Sequence, residues 1–313
     1  MAITADWTFF PITILESVIG TFTNIFIIFR IFLTYWKHQH VSGCEKIIAA
    51  LSVSNLGYTY AMFTNILVFT IWPDLLSIAQ VYDSLFVFTF FIVITSAWLT
   101  ASLCFYYYVK INHFSSDLLS RLKPKINSLA SWMIVLSVLL SLLCSSLNLL
   151  QIIVKEDTQS VISTFGNTSQ VSTSLLTSDT KLYIAFVSSF IPFFISVFTT
   201  ASTAWSLHLH KLKMAKNRTA STNGNVRKYE GAVKIMVCLL AFYALIYVTL
   251  CLFYFNVFTI YSRGFWVFLI IICSSSPLQS ILLSLSTTML KRAWMKMLHC
   301  NVGSSDEDET RKE

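Results

Sequence analysis

The residues best equipped for chemistry lie in three short stretches. The first is Tyr106-Tyr107-Tyr108-Val109-Lys110-Ile111. The second is Ser206-Leu207-His208-Leu209-His210-Lys211-Leu212-Lys213-Met214, and the third is Tyr229-Glu230-Gly231-Ala232-Val233-Lys234. Phenols, imidazoles and ammonium groups can hydrogen-bond and carry charge. No bond-making constellation accompanies them. There is no His-Glu-x-x-His, no Gly-x-Ser-x-Gly and no pair of aspartates deep in an apolar stretch. No CxxC or Cys/His spacing suggests a metal site. No catalytic residue, metal or cofactor is therefore expected, and the chain does not read as an enzyme.

The elements that carry these stretches form a rhythm. Seven long apolar segments run over 8–36, 46–72, 81–111, 126–153, 181–209, 231–260 and 264–289. Each meets the roughly 20 apolar residues that a helix needs to cross a bilayer. Seven is odd, so the two termini lie on opposite sides. The three chemical stretches then converge on one side, at the ends of spans three and five and the start of span six. The expected fold is an all-α membrane protein, a seven-transmembrane helix bundle with a short amphipathic eighth helix. Its expected organisation is a membrane domain over 1–290, an interfacial helix over 291–300 and an acidic tail over 301–313.

Composition agrees. The 313 residues are 55% hydrophobic and 12% charged, about half the charge of a soluble domain. The net charge of +7 invites a nucleic-acid reading, but its placement argues for topology. Lys37, Lys46, Lys110, Arg121, Lys123, Lys125, the 211–228 cluster, Lys291, Arg292 and Lys296 fall on one side. Only Lys155, Lys181 and Arg263 fall on the other. This is the positive-inside bias, and it orients the N-terminus outside and the C-terminus inside. No nucleic-acid partner is expected. No cleavable signal peptide is expected either, because the first apolar stretch is too long and lacks a basic flank. None of the seven cysteines falls in an outer loop, so no outer disulfide is expected.

Between the spans, 154–180 reads as the longest outer loop, rich in Ser, Thr and Gln, and 215–228 reads as a flexible inner linker. After the last span, Leu290, Ala293, Trp294, Met297 and Leu298 share one helical face and cations take the other. That pattern suits a helix lying at the bilayer surface. Cys300 follows as a candidate for palmitoylation. Few polar residues interrupt the spans: Glu16, Asn24, Asn55, Asn65, Asn148, Lys234, Asn256 and Gln279. Hydrogen bonding between helices is the expected use of Asn24 and Asn55. A covalent retinal needs a lysine within the last span, and 264–289 has none.

In combination these motifs resemble the type 2 (bitter) taste receptor family of G-protein-coupled receptors. The family's Phe-Tyr-x-x-Lys-Ile pattern in span three appears as Tyr106-Tyr107-Tyr108-Val109-Lys110-Ile111, with Trp98 upstream and Phe114-Ser115 and Leu122-Lys123 downstream. Its Ser-Leu-x-x-His-x-x-x-Met ending of span five is met by Ser206, Leu207, His210 and Met214, after Pro192-Phe193. Glu16, Gly20 and Asn24 fit in span one, Ala232, Lys234 and Tyr243 in span six, and Leu290-Lys291 and Ala293 after span seven. Departures are equally specific. The family's span-two arginine is Asn55 here, its span-six histidine is Tyr229, and its span-seven His-Ser is Gln279-Ser280.

The resemblance implies a plasma-membrane receptor that detects small bitter compounds and activates a heterotrimeric G protein of the gustducin type. It implies an inner contact face built from Tyr107, Lys110, His113, His210 and Lys234. Helical position and family analogy place a mostly apolar outer pocket at Asn65, Thr89, Phe90, Val93, Ser189, Tyr254 and Leu269. A vomeronasal type 1-like pheromone receptor is the alternative within the class, although outer cysteines would be expected of it. A seven-span transporter or channel subunit is the alternative outside it, and it would be expected to carry more charge at mid-membrane.

Asn167-Thr168-Ser169 and Asn217-Arg218-Thr219 are both N-glycosylation acceptor patterns, expected on opposite sides of the membrane. Asn167→Gln is expected to remove a glycosidase-sensitive shift on denaturing gels. Asn217→Gln is expected to leave that shift intact. Sugar on Asn217 would reverse the orientation.

Overall fold

The computed structural model describes residues 10–72, 74–75, 78–111, 117–165, 170–216, 223–254 and 263–297. Their backbone is helical almost throughout, with no strand among the described residues. Hydrocarbon offers the backbone no hydrogen-bonding partner, so a spanning segment must satisfy its own amides, and a helix does so. In chain order the helices are α1 (Phe10–His38), α2 (Gly43–Ile71), α3 (Ala79–Ile111), α4 (Asp117–Phe165), α5 (Gln170–Lys216), α6 (Asn223–Tyr254), α7 (Arg263–Cys273), α8 (Ser275–Ser284) and α9 (Thr288–Met297). Helices α1 to α6 and the α7–α8 pair make a seven-helix bundle.

Among the described residues, five stretches are long and apolar enough to cross a membrane by themselves: Phe10–Lys37, Ala79–Ile111, Pro124–Leu150, Phe186–Leu209 and Gly264–Ser284. In α6 the comparable apolar run is Val233–Thr249. Helix α2 has the length, at 29 residues. Its Ser52, Asn55 and Thr59 are buried inside the bundle, so its polarity faces protein. Many large apolar side chains of α1 and α4 face outward. Leu15, Val18, Phe22, Ile25 and Phe29 follow one stripe of α1, all more than a third exposed. An apolar stripe of this size on a bundle exterior is a lipid-facing surface.

Local signals set the helix ends. Gln39 closes α1 in the left-handed region at φ 52°, and its N–H reaches back to Tyr35 O at 2.7 Å. This left-handed closure satisfies one of the end carbonyls. Ser42 caps α2: its Oγ accepts from the Glu45 N–H at 3.3 Å, while Glu45 Oε2 accepts from the Ser42 N–H at 2.9 Å. This is a reciprocal capping box. The last span is broken between α7 and α8, because Pro277 cannot donate to Cys273 and its ring crowds that turn. Nearby, the Tyr58 hydroxyl donates to the Ile272 carbonyl at 2.9 Å.

Two stretches expected to be loops are largely helical. Helix α4 continues to Phe165 and α5 begins at Gln170, so most of 154–180 extends those helices. Ser, Thr and Gln are only weak helix breakers, and between Pro124 and Pro192 the sole glycine is Gly166. Likewise α5 runs to Lys216 and α6 starts at Asn223, which shortens the expected linker.

Helix α3 is central, packing against α2, α4, α5 and α6. The tightest core lies towards its Lys110 end. There Ile27, Ile47, Leu51, Leu103, Tyr106 and Met236 are completely or almost completely buried in one cluster. Helix α9 closes that end: Leu290 is buried and Lys291 and Arg292 are exposed. Trp294 of α9 sits edge-on to Phe26 of α1 at 5.4 Å.

Gly43 marks the closest approach of α2 to its neighbours. A Cβ there would lie 2.9 Å from the Tyr106 ring, 3.0 Å from Ala130 Cβ and 3.0 Å from Asn127 Cα. Two of those neighbours are the buried Tyr106 and Ala130. Gly43→Ala is expected to cost about 1–3 kcal/mol by overpacking. Gly231→Ala, with open space around it, is expected to cost nothing. Thermal unfolding of the two variants in detergent checks the contrast.

Candidate functional site

Halfway along the bundle, hydroxyls and amides knit α1, α2, α3 and α8 together. Ser276 Oγ donates to the Asn55 carbonyl at 2.9 Å and shares a hydrogen bond with Thr59 Oγ1 at 2.7 Å. Thr23 and Ser280 meet at 2.6 Å. Asn24 Nδ2 donates to Gly20 O at 2.8 Å and to Ser276 Oγ at 3.4 Å. Ser96 Oγ donates to Asn55 Oδ1 at 3.1 Å, and Gln279 Nε2 donates to Thr100 Oγ1 at 2.9 Å. The break at Ser274 and Pro277 is what turns α8 so that Ser276, Gln279 and Ser280 all point into this seam.

Beside the seam lies a cavity of about 70 Å³. Asn55 and Tyr58 come from α2, Val93, Ser96 and Ala97 from α3, Ser189 from α5, and Ser275 and Gln279 from α8. Helix α6 supplies the opposite wall with Leu239, Phe242, Tyr243, Ile246 and Tyr247. No lining residue is charged. The α6 wall is braced by α5: Tyr247 stacks on Phe193 at 5.1 Å, meets Phe186 at 4.9 Å, and donates to the Phe186 carbonyl at 3.4 Å. A pocket for a drug-sized ligand is on the order of 300–1,000 Å³. The cavity is smaller than that range, so a ligand of that size would have to displace the α6 aromatics to fit whole.

Of the residues predicted for a ligand pocket, Val93 and Ser189 line this cavity. Asn65 and Thr89 lie farther towards the Phe10 end, hydrogen-bonded to each other at 2.7 Å. Phe90 is buried and stacks on Phe86 at 6.1 Å. Leu269 is half-buried on α7 and is not part of the cavity lining. Tyr254 ends α6, and its side chain lies outside the described residues.

The second cluster sits at the Lys110 end. Tyr106 is fully buried; its hydroxyl donates to Asn127 Oδ1 at 2.8 Å, and that oxygen also accepts the Gly43 N–H at 3.3 Å. Lys110 Nζ stands 5.4 Å from the centre of the Tyr106 ring, within cation–π range. Tyr107 is also buried, and its hydroxyl accepts from Cys44 Sγ at 3.1 Å. One tyrosine thus ties α3 to α4 and the start of α2, and the next ties α3 to α2. Lys234 is exposed on α6. His113 and Asn167, and the side chain of His210, lie outside the described residues.

Comparison with known proteins bears on what this bundle is. The family profile described as taste receptor protein (TAS2R) matches residues 1–302. The chain belongs to the taste receptor protein (TAS2R) family. Human taste receptor type 2 member 39 is 27% identical over 283 residues, 90% of this chain and 83% of that one. Rat taste receptor type 2 member 4 is 26% identical over 240 residues, 75% of each chain. Gorilla taste receptor type 2 member 50 is 28% identical over 255 residues. The fold matches the crystal structure of squid rhodopsin with a TM-score of 0.61 at 13% identity, over 100% of this chain and 91% of that one. The molecule is thus a multi-pass membrane protein and a chemosensory receptor of the seven-helix class.

In this taste receptor the residues that sequence reasoning did not assign to the site are the ones between helices. Asn55, Ser96, Tyr243 and Tyr247 surround the cavity, and Asn127 joins α4 to Tyr106 and Gly43. Asn55 and Tyr243 stand out in sequence as a polar residue in a span and a family-matching tyrosine. Asn127 carried no signal, because its role exists only once α3 and α4 are side by side. Asn127→Ala is expected to lose about 1–2 kcal/mol with its two hydrogen bonds. Asn127→Asp, which keeps an acceptor, is expected to lose less. Thermal unfolding of the purified taste receptor measures both.

Proposed function

We propose that this chain is a plasma-membrane G-protein-coupled receptor for small bitter compounds, with its N-terminus outside, its C-terminus in the cytosol and a gustducin-like G protein as partner. The observation that carries the reading is the family match over residues 1–302. The geometry supports it with a route from ligand to G protein. The α6 wall of the cavity, Leu239 and Tyr243, continues within one to two turns into Met236, which is buried in the core at the Lys110 end. A ligand that enlarges the cavity pushes α6 outward and draws Met236 from that core.

An agonist works by binding the open arrangement better than the closed one, so its differential affinity sets the size of the shift. In the closed arrangement Tyr106 and Tyr107 hold α3 to α2 and α4. Opening α6 away from them exposes the Lys110 end of α3. Lys110, His113, His210 and Lys234 are assigned to the G-protein face. Tyr107 is assigned to the switch beneath it. The uncharged, mostly apolar pocket suits broad tuning. Asn65, Thr89, Phe90, Val93, Ser189, Tyr254 and Leu269 are assigned to the wider pocket that opening creates.

Cells expressing the receptor with a promiscuous G protein are expected to release calcium when challenged with a panel of bitter compounds. Lys110→Ala is expected to reduce the response at least tenfold at equal surface expression. Ligand-evoked current that persists without the G protein would instead establish a channel.

A further inference from the structure

The floor of the cavity has an unusual composition for a mid-membrane site. Asn55 is only 1% exposed. Its Oδ1 is held by Ser96 at 3.1 Å, and its Nδ2 has no hydrogen-bond partner. Asn55 lines the cavity with Tyr58, Ser96, Ser275 and Gln279. A buried N–H without an acceptor carries a desolvation penalty that a matching group recovers. What matches is set by the rest of the lining. Val93, Ala97, Leu239, Phe242 and Ile246 are apolar, and no charged side chain reaches the space. An ion would lose its hydration there without a counter-charge.

Building on the receptor reading, we propose that this floor is a recognition subsite for uncharged aromatic compounds that carry a carbonyl, with Asn55 Nδ2 donating to the carbonyl oxygen. The flat part of the ligand lies along the α6 wall between Val93 and the Phe242, Tyr243 and Tyr247 rings. The volume of about 70 Å³ is smaller than such a ligand, which takes its space by moving those rings. Ring faces and a single donor make an undemanding site for shape but a selective one for polarity. The amide rejects an analogue that lacks the acceptor, because binding it would bury the N–H again without a partner.

The test uses the full-length receptor in cells with the calcium readout. The probes are two matched pairs: coumarin with 2H-chromene, and phthalide with phthalan. Each pair differs in one carbonyl oxygen. The lactone is expected to act at about three- to tenfold lower concentration than its cyclic ether, the worth of one neutral hydrogen bond. Asn55→Leu is expected to bring that ratio to one. Ser96→Ala breaks the same Asn55–Ser96 hydrogen bond but keeps the amide, and it is expected to retain the ratio. A ratio, unlike a potency, is insensitive to expression level. If Asn55→Leu does not reach the surface, Ala97→Val decides, because it fills the space from α3 and is expected to abolish the lactone preference. Equal potency within each pair, a ratio unchanged in Asn55→Leu, or lactones that are silent while other bitter compounds act would overturn the subsite and leave the receptor reading intact. Silence to every compound at normal surface expression would sink both.

Discussion

A polar group buried in hydrocarbon must find its partner inside the protein, and this requirement organises the whole bundle. It forces the backbone into helices. It then selects which faces of those helices turn inward. Ser276, Thr59, Asn55, Asn24, Thr23 and Ser280 gather where α1, α2 and α8 meet, because each would otherwise face lipid alone. Apolar packing adds little direction in a membrane, since lipid tails are as apolar as leucine side chains. The polar seam therefore sets the register of α1, α2, α3 and α8, and Pro277 supplies the bend that lets α8 join it.

Packing is uneven along the bundle axis, and that unevenness suits a receptor. At the Lys110 end the core is dense, and Gly43 leaves no room even for a methyl group. At mid-depth the seam borders a small cavity whose far wall is largely aromatic and stacked against α5. In the proposed mechanism, a rigid end and a yielding middle let α6 move at the cost of few contacts. Such an element responds to a modest differential affinity. The two adjacent tyrosines divide the labour on α3: Tyr106 binds α3 to α4 and to the α2 start, and Tyr107 binds it to Cys44.

Much of this was legible in the sequence. Segment length and polarity foretold the helical bundle, and the amphipathic run after the last span foretold α9. The motif around Tyr106 and Lys110, with those in spans five and six, foretold the taste receptor family. Loops read less well. The stretch 154–180 looked like a loop from its Ser, Thr and Gln content, yet these residues permit a helix when no proline or paired glycine interrupts. The capping box at Ser42 and Glu45 shows the opposite case, where two side chains three apart fix a boundary locally.

What the sequence determined alone was whatever depends on neighbours along the chain: helical period, length against bilayer thickness, charge on either side and the family motifs. What only the tertiary structure decided was which polar residue meets which. Asn55, like Asn24, was expected to serve as an interhelical asparagine. In the bundle its amide oxygen accepts from Ser96, while its nitrogen is buried without a partner. Asn127 likewise acquires its role from Tyr106 and Gly43. Partners of this kind are separated by tens to hundreds of residues, and a hydrogen bond forms only within about 3 Å. Chain order carries no measure of that distance until the helices have packed.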